Sequence, residues 1–370
     1  MNETHTVRLI LAGDVMTGRG IDQIQSNPSD PVLHESYVRD ARDYVALAER
    51  ANGPVPRLVD PGYIWGDALP LLRGTDADLR IINLETAVTT SDTPWPDKAV
   101  HYRMHPANTG CLQVAAPDCC VLANNHVLDW GRPGLEETLG ALQEAGLRTA
   151  GAGRDADGAQ APAVLARPLG GRVLVFAAGH ISSGVPADWA AGAERSGVNY
   201  LPDLSDATID RLSEQIAAVR QPGDQVVLSI HWGSNWGYPI PLEQTAFARG
   251  VIDRAGVDLV HGHSSHHPRA LEVHRGRLIL YGCGDLLNDY EGIGGHGTYR
   301  GDLSLLYIAT LRDGRLTGLQ MVPLQIRHLR LNHAATDDAR WLAAIMDREA
   351  RRFGGRVSLA ADGRLRLAVS

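Results

Sequence analysis

The sequence has no basic run and no long apolar run, and these two absences exclude broad classes of function. Asp and Glu number 43 against 35 Lys and Arg, which gives a formal net charge of −8 and argues against nucleic acid as the main partner. The N-terminal segment has too short an apolar stretch, with no basic region before it, for a signal peptide or a membrane span. We therefore expect a cytoplasmic protein that binds neither nucleic acid nor a membrane.

Cysteine is scarce, and repeats, low-complexity tracts and linkers are absent from the sequence. The cysteines show no metal-ligand spacing, which is typical of a reducing compartment. They are Cys111, Cys119, Cys120 and Cys283. Without a linker, the sequence predicts one main domain over residues 1–335. A helix over Asp337–Arg352 and a hairpin turning at Asp362-Gly363 are expected to pack on it as a C-terminal segment, residues 336–370.

The sequence does contain a dense group of histidines after a short predicted strand. Val257–Val260 has the apolar pattern of a buried strand, and it runs directly into His261-Gly262-His263. Four histidines fall within the seven residues from His261 to His267, and packing alone does not explain this density because His is only intermediate in burial. Gly262 is expected to let the backbone pass close to whatever the imidazoles bind. The alternative is a histidine-rich surface loop.

The same arrangement recurs along the chain, where a predicted strand is followed by a polar residue able to bind a metal or carry a proton. These residues are Asp14, Glu85, Asn125, His126, His231, His261 and His263. Because an open α/β sheet gathers the carboxyl ends of its strands at one edge, we expect them to form one site. Their oxygen and nitrogen donors suit a pair of divalent ions such as Mn, Fe or Zn, and equally suit metal-free acid–base chemistry. For Asp14 alone, a turn cap is the alternative.

Residues 86–110 show neither helical nor strand periodicity, and loops of this length in compact domains are usually functional or disordered. Within this loop, Arg103 is a candidate for binding a substrate carboxylate, and an exposed loop arginine is the alternative. Trp232 is a candidate for an aromatic wall around a peptide side chain, together with Trp65, Trp130 and Trp236. Tryptophans of the core are the alternative for all of them.

Six motifs in the same order along the chain resemble those of the CapA family. They are Gly13-Asp14-Val15-Met16, Asn83-Leu84-Glu85-Thr86, Asn124-Asn125-His126, His231-Trp232-Gly233, Gly262-His263-Ser264-Ser265-His266-His267-Pro268 and Tyr281-Gly282-Cys283-Gly284-Asp285. That family is named for poly-γ-glutamate capsule synthesis and shares the calcineurin-like metallophosphatase fold. The resemblance covers roughly residues 7–330. It implies an α/β fold built as a four-layer αββα sandwich, with the site at the strand ends, and it leaves the reaction open.

The chain departs from the metallophosphatase pattern at two positions. Met16 stands where that pattern has a histidine ligand, and Asn83-Leu84-Glu85 replaces the Gly-Asp motif that supplies a bridging carboxylate. These differences predict a weakened or empty binuclear centre. The sequence also leads us to expect no membrane anchor, which would differ from the family members that assemble capsule at the cell surface.

A narrower resemblance, in length and motif order, is to a branch of the family encoded with lasso peptides, which includes a metal-independent epimerase. That enzyme inverts the Cα of the C-terminal tryptophan of a precursor peptide. The resemblance implies a precursor peptide as partner, no cofactor, and one base on each face of the Cα. Asp14 and His296 are the candidates, because they come from opposite ends of the chain and each lies on a glycine-rich loop. A mobile surface histidine is the alternative for His296.

Three hypotheses from different classes follow. The first is a peptide epimerase that uses Asp14 and His296 as catalytic residues. Its substrate-binding residues are Glu85, Asn125, His126, His231, His261, His263, Arg103 and Trp232.

The second hypothesis is a metal-dependent phosphoesterase-like hydrolase, with His126 as the acid. Its metal ligands are Asp14, Glu85, Asn125, His231, His261 and His263. The third is a non-catalytic binding protein with a relic site, and a poly-γ-glutamate or capsule role stands beside the hydrolase as an alternative.

Overall fold

The computed structural model describes residues 6–74, 77–167, 170–295 and 297–369, and it has a mixed α/β fold with several β-sheets. The strands in chain order are β1 (Thr6–Val15), β2 (Leu79–Leu84), β3 (Ala87–Val88), β4 (Arg103–Met104), β5 (Cys119–Val121), β6 (Thr149–Ala150), β7 (Ala152–Gly153), β8 (Ala163–Ala166), β9 (Arg172–His180), β10 (Gly197–Val198), β11 (Tyr200–Leu201), β12 (Gln225–His231), β13 (Leu259–His263), β14 (Leu271–His274), β15 (Arg277–Leu280), β16 (Asp285–Leu287), β17 (Leu303–Arg312), β18 (Arg315–Ile326), β19 (Leu331–His333), β20 (Val357–Leu359) and β21 (Leu365–Leu367).

Helices lie between these strands. They are α1 (Gly20–Gln23), α2 (Arg42–Asn52), α3 (Leu69–Arg73), α4 (Gly110–Ala115), α5 (Gly131–Glu144), α6 (Ala156–Gln160), α7 (Asp206–Val219), α8 (Leu242–Ala255) and α9 (Thr336–Arg351). In the four ranges that the structure describes, none of the helices is long and apolar enough to cross a membrane.

The first large sheet has ten strands, in the order β20-β21-β18-β17-β1-β2-β5-β6, with β16 beside β1 and β19 beside β18. Strands β1, β2, β5, β6 and β16 run parallel, and β17 joins β1 in antiparallel orientation. From Leu9 onward every residue of β1 is buried, as expected of a central parallel strand covered on both faces. The carboxyl ends of β1, β2 and β5 therefore lie side by side.

The second large sheet has seven strands, in the order β11-β9-β12-β13-β15-β14, with β8 beside β9. Because successive side chains of a strand point to opposite faces, its residues divide between two apolar clusters. Val175 and Val227 belong to a cluster that also contains residues of β1, whereas Phe176 and Leu228 pack with residues of α7 and α8. The predicted α/β class is confirmed, and the four-layer αββα stacking stays a prediction.

One helix predicted from the sequence pattern begins later than expected, whereas the predicted C-terminal elements are present. Apolar residues recur at helical spacing over Ser36–Arg50, a pattern that predicts a helix there, but α2 begins only at Arg42. The segment before it is held extended by a bridge between Val32 and Asp40, and the Asp40 carboxylate accepts the Arg42 N–H at 2.9 Å. At the other end of the chain the predicted helix and hairpin are confirmed as α9, β20 and β21. Strand β21 pairs with β18 and so extends the first sheet.

Two glycines allow close approaches of backbone that place the strand ends. Gly13 lies where β16 joins β1, and a Cβ atom there would stand 1.8 Å from the carbonyl oxygen of Gly284. A Cβ on Gly262 would stand 2.5 Å from the Leu280 oxygen and 2.8 Å from Nε1 of Trp232. Gly262 therefore packs against the strand beside it, which corrects the expectation that it makes room for a ligand.

Candidate functional site

Asp14 is the residue on which the strand ends converge. The register of β1 sets it directly beside Asn83 of β2 on one side and Asp285 of β16 on the other. Its carboxylate is fully buried and accepts hydrogen bonds from Asn83 Nδ2 at 2.7 Å and from the Ser264 N–H at 3.1 Å. These donors fix the carboxylate in one orientation.

His231 and His263 are brought together by the pairing of β12 with β13, in which they are direct partners. Both side chains are buried, and their Nδ1 atoms face each other at 2.8 Å. Nδ1 of His263 lies 3.8 Å from Oδ1 of Asp14. Two ring nitrogens and a carboxylate from three different strands therefore share one small volume.

A chain of hydrogen bonds fixes which nitrogen of His263 carries the hydrogen. A backbone carbonyl only accepts, so His261 donates Nε2–H to the Ala12 oxygen at 3.0 Å. Burial lowers the pKa of His261 to about 4, so the ring is neutral near pH 7 and its Nδ1 accepts from Ser229 Oγ at 3.0 Å. The same Oγ then accepts Nε2–H of His263 at 2.9 Å. Nδ1 of His263 therefore carries no hydrogen and has a free lone pair.

The orientation of the Asn125 amide determines whether a hydrogen lies between Nδ1 of His231 and Nδ1 of His263. Its Oδ1 lies 3.0 Å from Nε2 of His231, so that nitrogen donates and Nδ1 of His231 is also a lone pair. Two buried lone pairs only 2.8 Å apart repel each other unless a hydrogen lies between them or an ion lies to one side, about 2.1 Å from each nitrogen. If the Asn125 amide were turned over, a hydrogen on Nδ1 of His231 would fill the gap instead. With the amide as it stands, the donor set fits a divalent metal.

Among the described residues, two groups of side chains that share Asp14 bring three possible metal-ligand atoms close together. The ligand atoms of Asp14, His231 and His263 lie within 4.8 Å of one another, as do those of Asp14, His266 and Asp285. Asp285 is bonded to His266 Nδ1 at 3.0 Å. Burial, and then the charge of Asp285, raise the pKa of Asp14 to about 7. The carboxylates of Asp14 and Asp285 are thus buried side by side, and a positive charge near them would stabilise both.

Glu85 and His126 form the other side of the cluster. Oε1 of Glu85 is 3.8 Å from Nε2 of both His126 and His231. Burial and the nearby Asp14 raise the pKa of Glu85 well above its ordinary value. Burial lowers the pKa of His126 to about 4, although Asp129, 2.7 Å from its Nδ1, opposes this. Burial thus favours the uncharged forms of both Glu85 and His126, whose side chains face each other.

A cavity of 410 Å³ lies next to the second group. His266 and Asn288 connect its wall to Asp285, and aromatic residues line the rest, among them Trp236 and Tyr290. Arg19 also lines the cavity, but its guanidinium is buried, paired with Asp289 and stacked 3.9 Å from the centre of the Tyr44 ring. The positive charge of Arg19 is therefore already neutralised by Asp289 and is not available to a ligand in the cavity.

The structure brings together most of the residues that were predicted to form the site. They are Asp14, Glu85, Asn125, His126, His231 and His263. His261 is the exception as a metal ligand, because Ser229 and the Ala12 carbonyl already occupy both of its nitrogens. His296 lies outside the described residues.

The other predicted substrate-binding residues are engaged elsewhere. Arg103 is buried, not exposed, and its guanidinium bonds the Asp30 and Ser91 oxygens and stacks 3.9 Å from the centre of the Trp130 ring. Trp232 donates Nε1–H to the Tyr281 oxygen and packs in the cluster with α7 and α8. Among the tryptophans named in the sequence analysis, Trp236 is the one that lines the cavity.

Sequence reasoning missed four residues of the site: His266, Asp285, Lys98 and Asp129. His266 and Asp285 stood inside recognised motifs, yet only the pairing of β16 with β1 shows that they meet. Asp129 follows His126 by three residues, a spacing that could have indicated a pair. Lys98 had the plainest signal, since it is the only lysine in the sequence.

Comparison with known proteins identifies close relatives. A family model described as bacterial capsule synthesis protein PGA_cap matches residues 8–290. A probable polyglutamine synthesis accessory protein of Mycobacterium tuberculosis is 47% identical over 363 residues, which cover 97% of this chain and 95% of that protein. The capsule biosynthesis protein CapA of Bacillus anthracis is 25% identical over 332 residues, 88% of this chain and 69% of its own. The PGA biosynthesis protein CapA of Bacillus subtilis is 27% identical over 264 residues, 70% and 64% respectively.

Proposed function

The chain belongs to the bacterial capsule synthesis protein family PGA_cap, and on that premise we propose that it is a metal-dependent hydrolase acting on a glutamate-type polymer or peptide. The facing nitrogens of His231 and His263, 2.8 Å apart beside Asp14, carry this proposal. Relatives named for capsule, PGA and polyglutamine synthesis support the substrate class. The αββα stacking belongs to the same proposal, supported by the apolar cluster that the second sheet shares with β1.

Asp14, His231 and His263 would hold a divalent ion through one carboxylate oxygen and two Nδ1 atoms. Such an ion, when bound, polarises a carbonyl or phosphoryl oxygen of the substrate and lowers the pKa of a bound water. The chain supplies the orientation of these ligands. Asn83 holds the carboxylate of Asp14, and Ser229 keeps the hydrogen of His263 on Nε2.

Proton transfer would fall to Glu85 and His126. Burial, and then the charge of Asp14, raise the pKa of Glu85 well above its ordinary value and so favour its protonated form. His126 donates Nδ1–H to Asp129, so its Nε2 is an acceptor, 3.8 Å from Oε1 of Glu85. We infer that His126 takes this proton and delivers it to the leaving group.

The cavity beside His266 would receive the polymer. Its volume of 410 Å³ and its mouth toward solvent suit a segment of an extended chain. Arg300 on its wall is paired with Asp302 and Asp338, whereas the side chain of Arg327 is exposed at the rim. An exposed arginine at the mouth favours an anionic substrate.

Metal titration of the metal-free protein tests this proposal directly. We expect calorimetry with Mn²⁺ to give at least one tight site, and His263→Ala to weaken it at least about 100-fold, because even the outer partners of a metal ligand are typically worth 10- to 100-fold. His274→Gln is the matched control, since His274 also bonds a carboxylate, that of Asp253 at 2.9 Å, on the surface. If the unaltered protein binds no ion, or binds it equally well after His263→Ala, the proposal fails.

A second candidate function is the metal-free inversion of a peptide Cα. The observation that favours it is the pKa of Asp14, which burial raises to about 7, the value that suits a general base at neutral pH. The second base, His296, lies outside the described residues. A chelated sample incubated with precursor peptide in deuterated water separates the two candidates. Deuterium on an inverted Cα would support the epimerase, and loss of all activity on chelation would support the hydrolase.

A further inference from the structure

Lysine is almost absent from this protein, and the one exception lies in the site. Lys and Arg together number 35, and Lys98 is the only lysine among them. Every other side chain with a permanent positive charge is a guanidinium. The position of Lys98 therefore needs a local reason, which composition alone does not give.

That reason is the crowding around its ammonium group. Nζ of Lys98 lies 2.9 Å from Oδ1 of Asp129, 3.1 Å from the Val100 oxygen and 3.2 Å from Nδ1 of His126. The side chain is only 16% exposed. An ammonium is a compact charge with three rotatable donors, whereas a guanidinium is a planar fork that needs acceptors arranged side by side. Two of these atoms are acceptors, Oδ1 of Asp129 and the Val100 oxygen, whereas Nδ1 of His126 carries its own hydrogen and is only a neighbour of the ammonium. We expect the larger planar guanidinium of an arginine not to fit these two acceptors in this nearly closed space.

Asp129 links Lys98 to the catalytic cluster. It is fully buried, and its Oδ2 accepts Nδ1–H of His126 at 2.7 Å and the Tyr102 N–H at 2.6 Å. A buried carboxylate without a cation beside it tends to take up a proton. Without Lys98, Asp129 would therefore hold the proton itself and donate it to Nδ1 of His126, so that the ring would carry its hydrogen on Nε2.

We propose that Lys98 is a positioning residue: it keeps Asp129 an acceptor, which fixes the hydrogen of His126 on Nδ1 and leaves Nε2 free to accept a proton beside Glu85. This inference rests on the proposed function, because it gives His126 the tautomer that proton delivery requires. Lys98 acts through Asp129 and need not touch the substrate.

Nitrogen-15 NMR of histidine-labelled protein tests the inference without an activity assay, because a protonated and a bare ring nitrogen differ widely in chemical shift. We expect His126, assigned by the loss of its signals in His126→Gln, to carry its hydrogen on Nδ1 in the unaltered protein. In Lys98→Met the hydrogen should move to Nε2. Lys98→Arg should not restore the original state, and added methylammonium should restore it in Lys98→Ala.

Arg132→Met is the matched control, because it removes a nearby positive charge whose guanidinium bonds the Ser196 and Asp188 oxygens. Its His126 signals should match those of the unaltered protein. Unchanged signals in Lys98→Met would overturn the inference, and full restoration by Lys98→Arg would overturn the requirement for a compact ammonium. Neither result depends on metal binding, so a failure of the hydrolase proposal in the Mn²⁺ titration is seen separately.

An activity measurement gives the functional consequence once a substrate is turned over. General acid–base catalysis typically contributes 10²- to 10⁴-fold, so we expect Lys98→Met to lower kcat about 100-fold. KM should change little, because Lys98 lies outside the cavity wall. A large rise in KM with unchanged kcat would instead identify Lys98 as a substrate-binding residue and overturn the positioning role.

Discussion

Asp14→Asn is expected to abolish both metal binding and turnover, with kcat/KM on a poly-γ-glutamate substrate falling about 10³-fold or more. Asp14 is the one residue common to both possible ligand groups, so its loss removes a ligand from each. An amide also binds a hard divalent ion more weakly than a carboxylate does, because it brings no negative charge. The measurements are Mn²⁺ affinity by calorimetry and the initial rate of hydrolysis.

Two comparisons make this result specific. Asp253→Asn is the matched control, since Asp253 is also a histidine-paired carboxylate but lies on the surface, and it should leave both measurements unchanged. Asn83 bonds Asp14 Oδ1, and an asparagine at position 14 retains an oxygen for that bond, so the fold should persist. Full activity in Asp14→Asn would exclude Asp14 from the chemistry and so contradict both the hydrolase and the epimerase as described here.

The sequence predicted the strand-end cluster because it depends on local order alone. A polar residue that directly follows a buried parallel strand must emerge at the carboxyl edge of its sheet. Glu85 directly follows β2, His231 is the last residue of β12, and Asp14 is the last residue but one of β1, so all three lie at this edge. The family was predicted correctly for the same reason, since its motifs are those strand ends. The epimerase branch stays a prediction.

Side-chain partners could not be predicted in this way. His261 and His263 are two residues apart on one strand, so both point to the same face, and sequence gives no reason to separate them. The structure separates them through Ser229, whose hydroxyl lies between the two rings, and through the Ala12 carbonyl. Tertiary contacts therefore determine that His263 is available to bind a metal ion and that His261 only holds it in place through Ser229.

The position of Asp285 beside Asp14, which the pairing of β16 with β1 produces, could not be predicted from the sequence either. Tyr281-Gly282-Cys283-Gly284-Asp285 was recognised as a motif, but nothing local indicates that its last residue pairs with β1. The chain leaves β15 at Leu280, crosses to the other sheet, and adds Asp285 beside Asp14. The segment between β15 and β16 thus joins the two sheets at the site, and it approaches β1 most closely where Gly284 faces Gly13.

Gly13→Ala is accordingly expected to have the largest effect on stability of any single substitution in the site. The new Cβ would stand 1.8 Å from the Gly284 oxygen and 3.0 Å from Cβ of Cys283. Because the first of these contacts is with backbone, no rotamer change relieves it, and β1 and β16 must separate. Overpacking in a core typically costs about 1–3 kcal/mol, and separating these strands also loses the Asp14 N–H bond to Gly284.

We therefore expect the free energy of unfolding to fall by about 3–5 kcal/mol in Gly13→Ala, a large part of the roughly 5–15 kcal/mol that holds a typical protein folded. Urea denaturation measures this change. Gly140→Ala is the matched control, because Gly140 lies within α5 with no atom near the new Cβ, and alanine there should stabilise the helix by up to about 1 kcal/mol. Equal stability of the two variants would show that β16 does not seat against β1 as described, and the pairing of Asp14 with Asp285 would fall with it.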